Sequence, residues 1–295
     1  MKNNKRIALT LALPLLLSIS SCKISPTGNG AQRSEYPGDR ELNLSLANED
    51  EKSMKEAYAA FFKKTLECDR MHVYVDLGYQ GDDFVYSEED ISGTSSHYTS
   101  FVETRTGFFD NYKVSKATEV WAFIDGDGNK IYALSMEQYN DRSFVRGEDY
   151  YKGGYKFFLW DMNLMGYLED KDEIYNRTDP RIPGMFDEAV YKTFLSEPKD
   201  GISDILMTVT VKDKDGNDVE AASLLATAEN GLVTCAKYSS RSFYRQIENN
   251  SLVEEGFFGE QNTHTLFFSY PESVDVELPD ISDWEDMTDM KDGSK

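Results

Sequence analysis

His72-Val73-Tyr74-Val75-Asp76-Leu77-Gly78-Tyr79 sets Val73, Val75, Leu77 and Tyr79 against His72, Tyr74, Asp76 and Gly78. Successive side chains of a strand point to opposite sides, so this two-residue period predicts a half-buried β-strand. The residues just before it keep a different period. Met54, Ala57, Tyr58, Phe61, Phe62 and Leu66 recur at steps of three and four, which is one apolar face of an amphipathic helix. Asn48, followed three residues later by Glu51, supplies a capping-box-like start. The change of period between Leu66 and His72 marks a helix handing over to a sheet, and the helix face needs a sheet or a second helix to lie on.

Downstream the chain stays in the β regime. Segments 83–87, 96–104, 119–124, 130–136, 142–146, 155–160 and 205–212 are rich in Tyr, Phe, Val and Thr, and turn residues separate several of them. Asp125-Gly126-Asp127-Gly128-Asn129 joins two of these runs, so an antiparallel meander is expected. One interruption is read as a second helix over 183–196, with Phe186, Ala189, Val190, Thr193 and Phe194 on one side and Pro198 beyond its end. That helix is the candidate cover. Ser223-Leu224-Leu225-Ala226-Thr227-Ala228, the turn Glu229-Asn230-Gly231, and Leu232-Val233-Thr234-Cys235-Ala236-Lys237-Tyr238 then read as strand, turn and return strand. Leu266-Phe267-Phe268-Ser269-Tyr270 and Val274-Asp275-Val276-Glu277-Leu278-Pro279 close the series. The expected fold is α+β and mainly antiparallel β, a curved sheet packed on an N-terminal helix, in a single domain over 48–279.

This ending is similar to that of the LolA/LppX-like lipoproteins and lipoprotein carriers. The resemblance spans the C-terminal strands, the leading helix and the β order. It implies an open half-barrel around helices, with a concave side that receives acyl chains, and it assigns no ligand residue.

The N-terminus carries its own signal. Lys2, Lys5 and Arg6 precede an apolar run from Ile7 to Ile19, and small residues follow. A basic start, a short apolar core and small residues make a secretory signal over 1–21; a membrane-spanning helix needs roughly 20 apolar residues. Ile19-Ser20-Ser21-Cys22 resembles the lipobox of bacterial lipoprotein precursors. That resemblance implies diacylglyceryl transfer to the Cys22 sulfur, cleavage before it, and acylation of the new amino terminus. Two or more acyl chains anchor stably where one binds reversibly. Lys23 stands where lipoproteins kept at the inner membrane often carry Asp, so such retention is not indicated. The expected location is the extracytoplasmic side of a bacterial envelope. Segment 22–47, with Pro26, Gly28, Gly30, Pro37 and Gly38 among polar residues, reads as the lipidated cysteine and a flexible tether. Segment 280–295, with Asp283, Glu285, Asp286, Asp289 and Asp292, reads as a solvated acidic tail in which Trp284 packs locally at most.

The formal charge is −22, and removal of Lys2, Lys5 and Arg6 with the signal leaves about −25. A domain of that charge repels nucleic acid and anionic headgroups alike. No nucleic-acid partner is expected, and the membrane is reached through the anchor. The same charge keeps an exported protein soluble, and a cationic partner is the alternative use.

Function is less legible. The chain has 17 Phe, 18 Tyr and 3 Trp. The densest cluster runs through Tyr150, Tyr151, Tyr155, Phe157, Phe158 and Trp160 to Met162, Leu164, Met165 and Tyr167. Such side chains either line an apolar groove or simply build the core. If a groove forms, Phe157, Trp160, Met165, Phe186, Val190 and Phe194 are its expected wall. Asp125-x-Asp127-x-Asn129 and Asp213-x-Asp215-x-Asn217 begin like calcium loops, but Lys130 and Asp218 stand where Gly is needed, and Met136 and Leu224 where Glu is needed. Both therefore read as hairpin turns, and no metal or other cofactor is expected. His72, His97 and His264 are the only histidines, none at metal-ligand spacing, and no nucleophile motif or phosphate loop is present. No catalytic residue is assigned. Cys68 and Cys235 remain after Cys22, as a possible disulfide or as two free thiols. The leading expectation is a non-enzymatic lipoprotein that binds or carries an apolar or amphiphilic ligand such as a lipid. The alternative is a surface interaction or structural lipoprotein that binds another envelope protein without a ligand cavity.

Overall fold

The computed structural model describes residues 41–80, 83–105, 112–147, 156–176 and 182–288. The signal, Cys22, most of the tether, Tyr150, Tyr151, Tyr155 and the last seven residues lie outside the described residues. In chain order the elements are β1 (Leu44–Asn48), α1 (Glu51–Leu66), β2 (Arg70–Gln80), β3 (Asp83–Ser92), β4 (Ser95–Arg105), β5 (Tyr112–Ile124), β6 (Lys130–Met136) and β7 (Asp141–Arg146). Two helices follow, α2 (Phe158–Asp161) and α3 (Leu164–Asn176). The second series is β8 (Val190–Ser196), β9 (Ile202–Lys212), β10 (Asp218–Glu229), β11 (Leu232–Ser240), β12 (Phe243–Glu248), β13 (Ser251–Phe257), β14 (Asn262–Ser269) and β15 (Glu285–Asp286).

Thirteen strands form one open sheet in the order β1-β8-β9-β10-β11-β14-β2-β3-β4-β5-β6-β7-β15, and β12-β13 is a separate hairpin. Every pairing is antiparallel except that of β15 on β7. The fold is thus mainly antiparallel β with few helices. β14 returns after the second series to lie beside β2, so the two meanders become one surface.

The leading helix forms where its period predicts it. Its N-cap is Asp50, whose carboxylate accepts from Ser53 N at 2.8 Å, rather than Asn48, which belongs to β1. Glu51 in the first turn and Lys63 and Lys64 in the last complement the helix dipole. Met54, Tyr58 and Phe62 are buried in one cluster with Met71, Val73 and Val75 of β2, Ile205 and Met207 of β9, and Val233 of β11. Each fully buried side chain of that size is worth about 1.5–3 kcal/mol relative to exposure.

Several expectations are corrected. Residues 190–196 of the supposed second helix form β8, hydrogen-bonded on one side to β1 and on the other to β9. The spacing of Phe186, Val190 and Phe194 fits a helix, but Val190, Tyr191 and Thr193 are β-branched or aromatic and gain more from ladders on both sides. The helices come earlier: α2 begins inside the stretch read as a strand over 155–160, and α3 follows it. Segment 274–279 runs outside any strand, its Glu277 carbonyl accepting from Trp121 Nε1 at 3.1 Å. Leu44 to Ala47, assigned to the tether, are in β1, and the start of the acidic tail docks as β15. The period in β2 also breaks: the register shifts between Asp76 and Gly78, Gly78 takes φ +76°, and Tyr79 emerges on the side opposite Val75. A bulge with glycine in the left-handed region moves every later side chain to the other face.

Candidate functional site

The two faces of the central strands differ in chemistry. On the face toward the helices, Met71, Val73 and Val75 register with Ile91, Glu89 and Ser87, and Glu89 registers with Tyr98 of β4. Glu89 is fully buried. Its Oε1 accepts from Ser96 Oγ at 2.5 Å and Phe157 N at 2.8 Å, and its Oε2 accepts from Phe158 N at 2.6 Å. The carboxyl satisfies the first free amides of α2 and seats that helix on the sheet. Burial pushes its pKa up to about 7 despite the three donors, and the nearby Asp161 adds to the rise. Asp161, at the other end of α2, is also buried, and desolvation pushes it up to about 7 while Tyr98 Oη donates to it at 3.4 Å. His264 Nδ1 lies 3.0 Å from the Asp161 carbonyl, and burial lowers its pKa. Lys156 ties the same turn to α1, donating from Nζ to the carbonyls of Leu66 and Cys68. Lys171 of α3 donates to Glu51 at 2.7 Å and to Tyr191 Oη at 3.0 Å, linking α3 to α1 and β8. These groups fasten helices to strands.

The six residues expected to form a groove wall do not converge. Phe157 is buried and meets Trp160 at 4.8 Å between ring centroids, with Trp160 55% exposed. Met165 and Phe186 belong to the main core, Phe186 packing against Tyr167, Tyr175 and Phe243. Val190 and Phe194 share a face of β8 with each other and alternate with Tyr191, Thr193 and Leu195, the side that meets the core. An open depression of about 670 Å³ between Met185, Lys212, Tyr244 and Phe257 is lined by none of the six.

The opposite face is aromatic and acidic. Phe267 of β14 registers with Tyr74 of β2, Tyr74 with Glu88 of β3, Asp76 with Tyr86, Tyr86 with Phe101 of β4, and Phe84 with Glu103. The rings form a ladder across four strands: Phe267 to Tyr74 at 6.3 Å, Tyr74 to Tyr86 at 5.7 Å and Tyr86 to Phe101 at 4.8 Å between centroids. Phe84 joins Tyr86 and Tyr79, and Tyr79 is 59% exposed. Cross-strand aromatic pairs of this kind stabilise a sheet by about 0.2–1 kcal/mol each. Burial, and then Glu88 and Glu103, raise the pKa of the Tyr86 hydroxyl. Among the described residues neither of these two carboxylates forms an ion pair. One row away, His72 meets Asp90 at 2.8 Å, a hydrogen bond that raises its pKa, whereas burial lowers that of His97 beside Glu119. His97 stacks on Trp121 at 4.6 Å. Toward the β7 edge the C-terminal segment covers this face: Ile281 and Trp284 pack on Trp121, Phe123, Ile131, Ala133 and Phe144.

The paired Asp-rich turns are hairpin connections. Asp125 Oδ1 accepts from the amides of Asp127 and Asn129, and Asp213 Oδ1 from those of Asp215 and Asn217. Among the described residues no group of three metal-ligating side chains converges. Cys68 and Cys235 are not bonded to each other in the structure: the Cys68 thiol donates to the Arg70 carbonyl, while Cys235 is buried within β11. The ladder was available in the sequence as Tyr74, Tyr86 and Phe101 on alternate positions, but only the strand register brings them together. Comparison with known proteins adds no relative: no family model matches the chain, and no curated protein or solved structure does so significantly.

Proposed function

We propose that the chain is a lipid-anchored envelope protein that works without catalysis, meeting another protein through the aromatic and acidic face of its sheet. Cys22 provides the anchor and the residues after it the tether. The observation that carries the reading is the half-buried ring ladder on the face opposite the helices, with Tyr79 59% exposed at its end, since contiguous apolar surface rimmed by polar groups marks interaction sites. A photo-crosslinking residue at Phe84 in full-length protein in intact cells is expected to give a discrete protein adduct. One at Trp160, on the helix side, is expected to give none. Adducts from Trp160 alone, or from neither position, overturn the reading. The anchor is tested separately: Cys22→Ala is expected to release the protein from the membrane fraction and abolish labelling by a tagged fatty acid, and retention of either refutes it.

A second reading is the carriage of an apolar or amphiphilic ligand on the helix side, with the open sheet curled as a half-barrel around the helices. Trp160 favours it, because a large ring left half-exposed beside Phe157 and Tyr98 is where an acyl chain would enter. Lipid retained by the delipidated and re-exposed protein in a native mass spectrum would support this second reading. Its absence, together with a Phe84 adduct, would leave the first.

A further inference from the structure

We propose that the outer face takes an extended polypeptide segment bearing Lys or Arg at positions four residues apart; this rests on the protein-binding reading above and names its chemistry. The rings of the ladder stack on one another, Tyr86 and Phe101 with planes 14° apart, so the faces they turn to each other are occupied. Such a surface suits aliphatic stems laid across it better than a planar ligand stacked on it. Lys and Arg combine such stems with a charged end.

The carboxylates stand where those ends would fall. Glu103 is opposite Phe84 on β3, and Glu88 is four residues along β3 from Phe84. At about 3.3 Å per residue the two acids are separated by about 13 Å along the strand direction. An extended chain spans that distance with four residues, and residues four apart leave it on the same side. Tyr86, opposite Asp76, lies midway, and the rings of Phe84 and Phe101 flank it. The site thus reads acid, aromatic, acid on a diagonal from Glu103 on β4 to Glu88 on β3. The whole chain carries −22, which draws a cationic segment toward the protein before any contact forms. An anionic or neutral segment would leave Glu88 and Glu103 facing apolar or like-charged groups.

The test is fluorescence anisotropy of the full chain with a labelled Thr/Val peptide carrying Lys at its first and fifth positions, at low and at physiological ionic strength. The comparison peptides carry Glu at the same positions, or the two Lys side by side. The expected result is saturable binding of the spaced Lys peptide, weakened about tenfold in Glu88→Gln/Glu103→Gln, a loss of two charge-assisted contacts of about 0.7 kcal/mol each. The control Glu41→Gln/Glu56→Gln removes the same charge elsewhere and should leave binding unchanged. Equal weakening by the control means diffuse charge attraction and overturns the proposal, as does equal binding of the adjacent-Lys peptide. Binding of the Glu peptide, or of no peptide, also overturns it; the protein-binding reading then stands or falls on the Phe84 adduct alone.

Discussion

Glu89 shows how a single position can carry more than its sequence context suggests. It sits in Glu88-Glu89-Asp90, in a chain with 53 carboxylates, and nothing in the run distinguishes it from its neighbours. The strand phase does: Ser87, Glu89 and Ile91 are buried while Glu88 and Asp90 face the other side. The residue type that would ordinarily be excluded from that face is retained because it caps α2. Protonation is linked to folding here. Its pKa is about 7 in the folded protein against 4.5 for the free side chain, so the folded state holds the proton more tightly. Its contribution is therefore complete below pH 4.5 and is lost as pH rises through about 7. Asp161 acts in the same sense between 3.8 and about 7. Urea midpoints should accordingly fall across this window, Glu89 supplying about 3 kcal/mol of the change. Glu89→Gln should flatten part of that slope and Glu89→Gln/Asp161→Asn most of it, while costing about 1–3 kcal/mol at acid pH where an amide meets the Phe158 amide. A slope unchanged in the double variant would exclude these two groups as its origin.

Elements were legible where local chemistry and burial agree. The hairpin of β10 and β11 was readable from Asn230-Gly231, and both residues have positive φ, +52° and +81°. This is the backbone that a two-residue hairpin turn demands. A Cβ at Gly231 would meet only Lys64 Cδ at 3.5 Å, so the cost of Gly231→Ala is conformational. About 1 kcal/mol of stability should be lost, measured by denaturant unfolding, and Asn230→Gly should be nearly neutral. A neutral Gly231→Ala would mean that the turn opens in solution. The region 183–196 was misread for the converse reason. Its apolar spacing satisfies a helix, but β8 has partners on both sides, which a local pattern does not reveal. The break of period at Gly78 is similar: the glycine was visible, its conformation was not.

At the scale of the whole molecule, the order of strands decides what is edge and what is interior. The sheet is open, and its β7 side is covered by the C-terminal segment through β15, the Trp284–Trp121 contact at 5.6 Å and the Met287 N to Phe144 carbonyl bond at 2.8 Å. Composition alone made this segment look like a solvated tail, because the six acids of 280–295 outweigh one tryptophan in any local average. Removal of residues 281–295 should expose Trp121, Phe123 and Phe144 together with the β7 backbone. Exposed edges of that kind pair with other chains, so the truncated protein should self-associate in sedimentation runs and bind a hydrophobic dye, whereas Trp284→Ala should do so more weakly. A monomeric truncation would show that β7 protects itself. The other edge has a different consequence. Among the described residues β1, five residues long, pairs with β8 alone and is the strand nearest the N-terminus. Because β1 is the outermost strand, a pull on the preceding chain is borne first by its bonds to β8. Were Cys22 the anchor proposed above, tension on the chain would peel this strand away before it reached α1, making the β1–β8 seam a mechanical fuse for the rest of the fold.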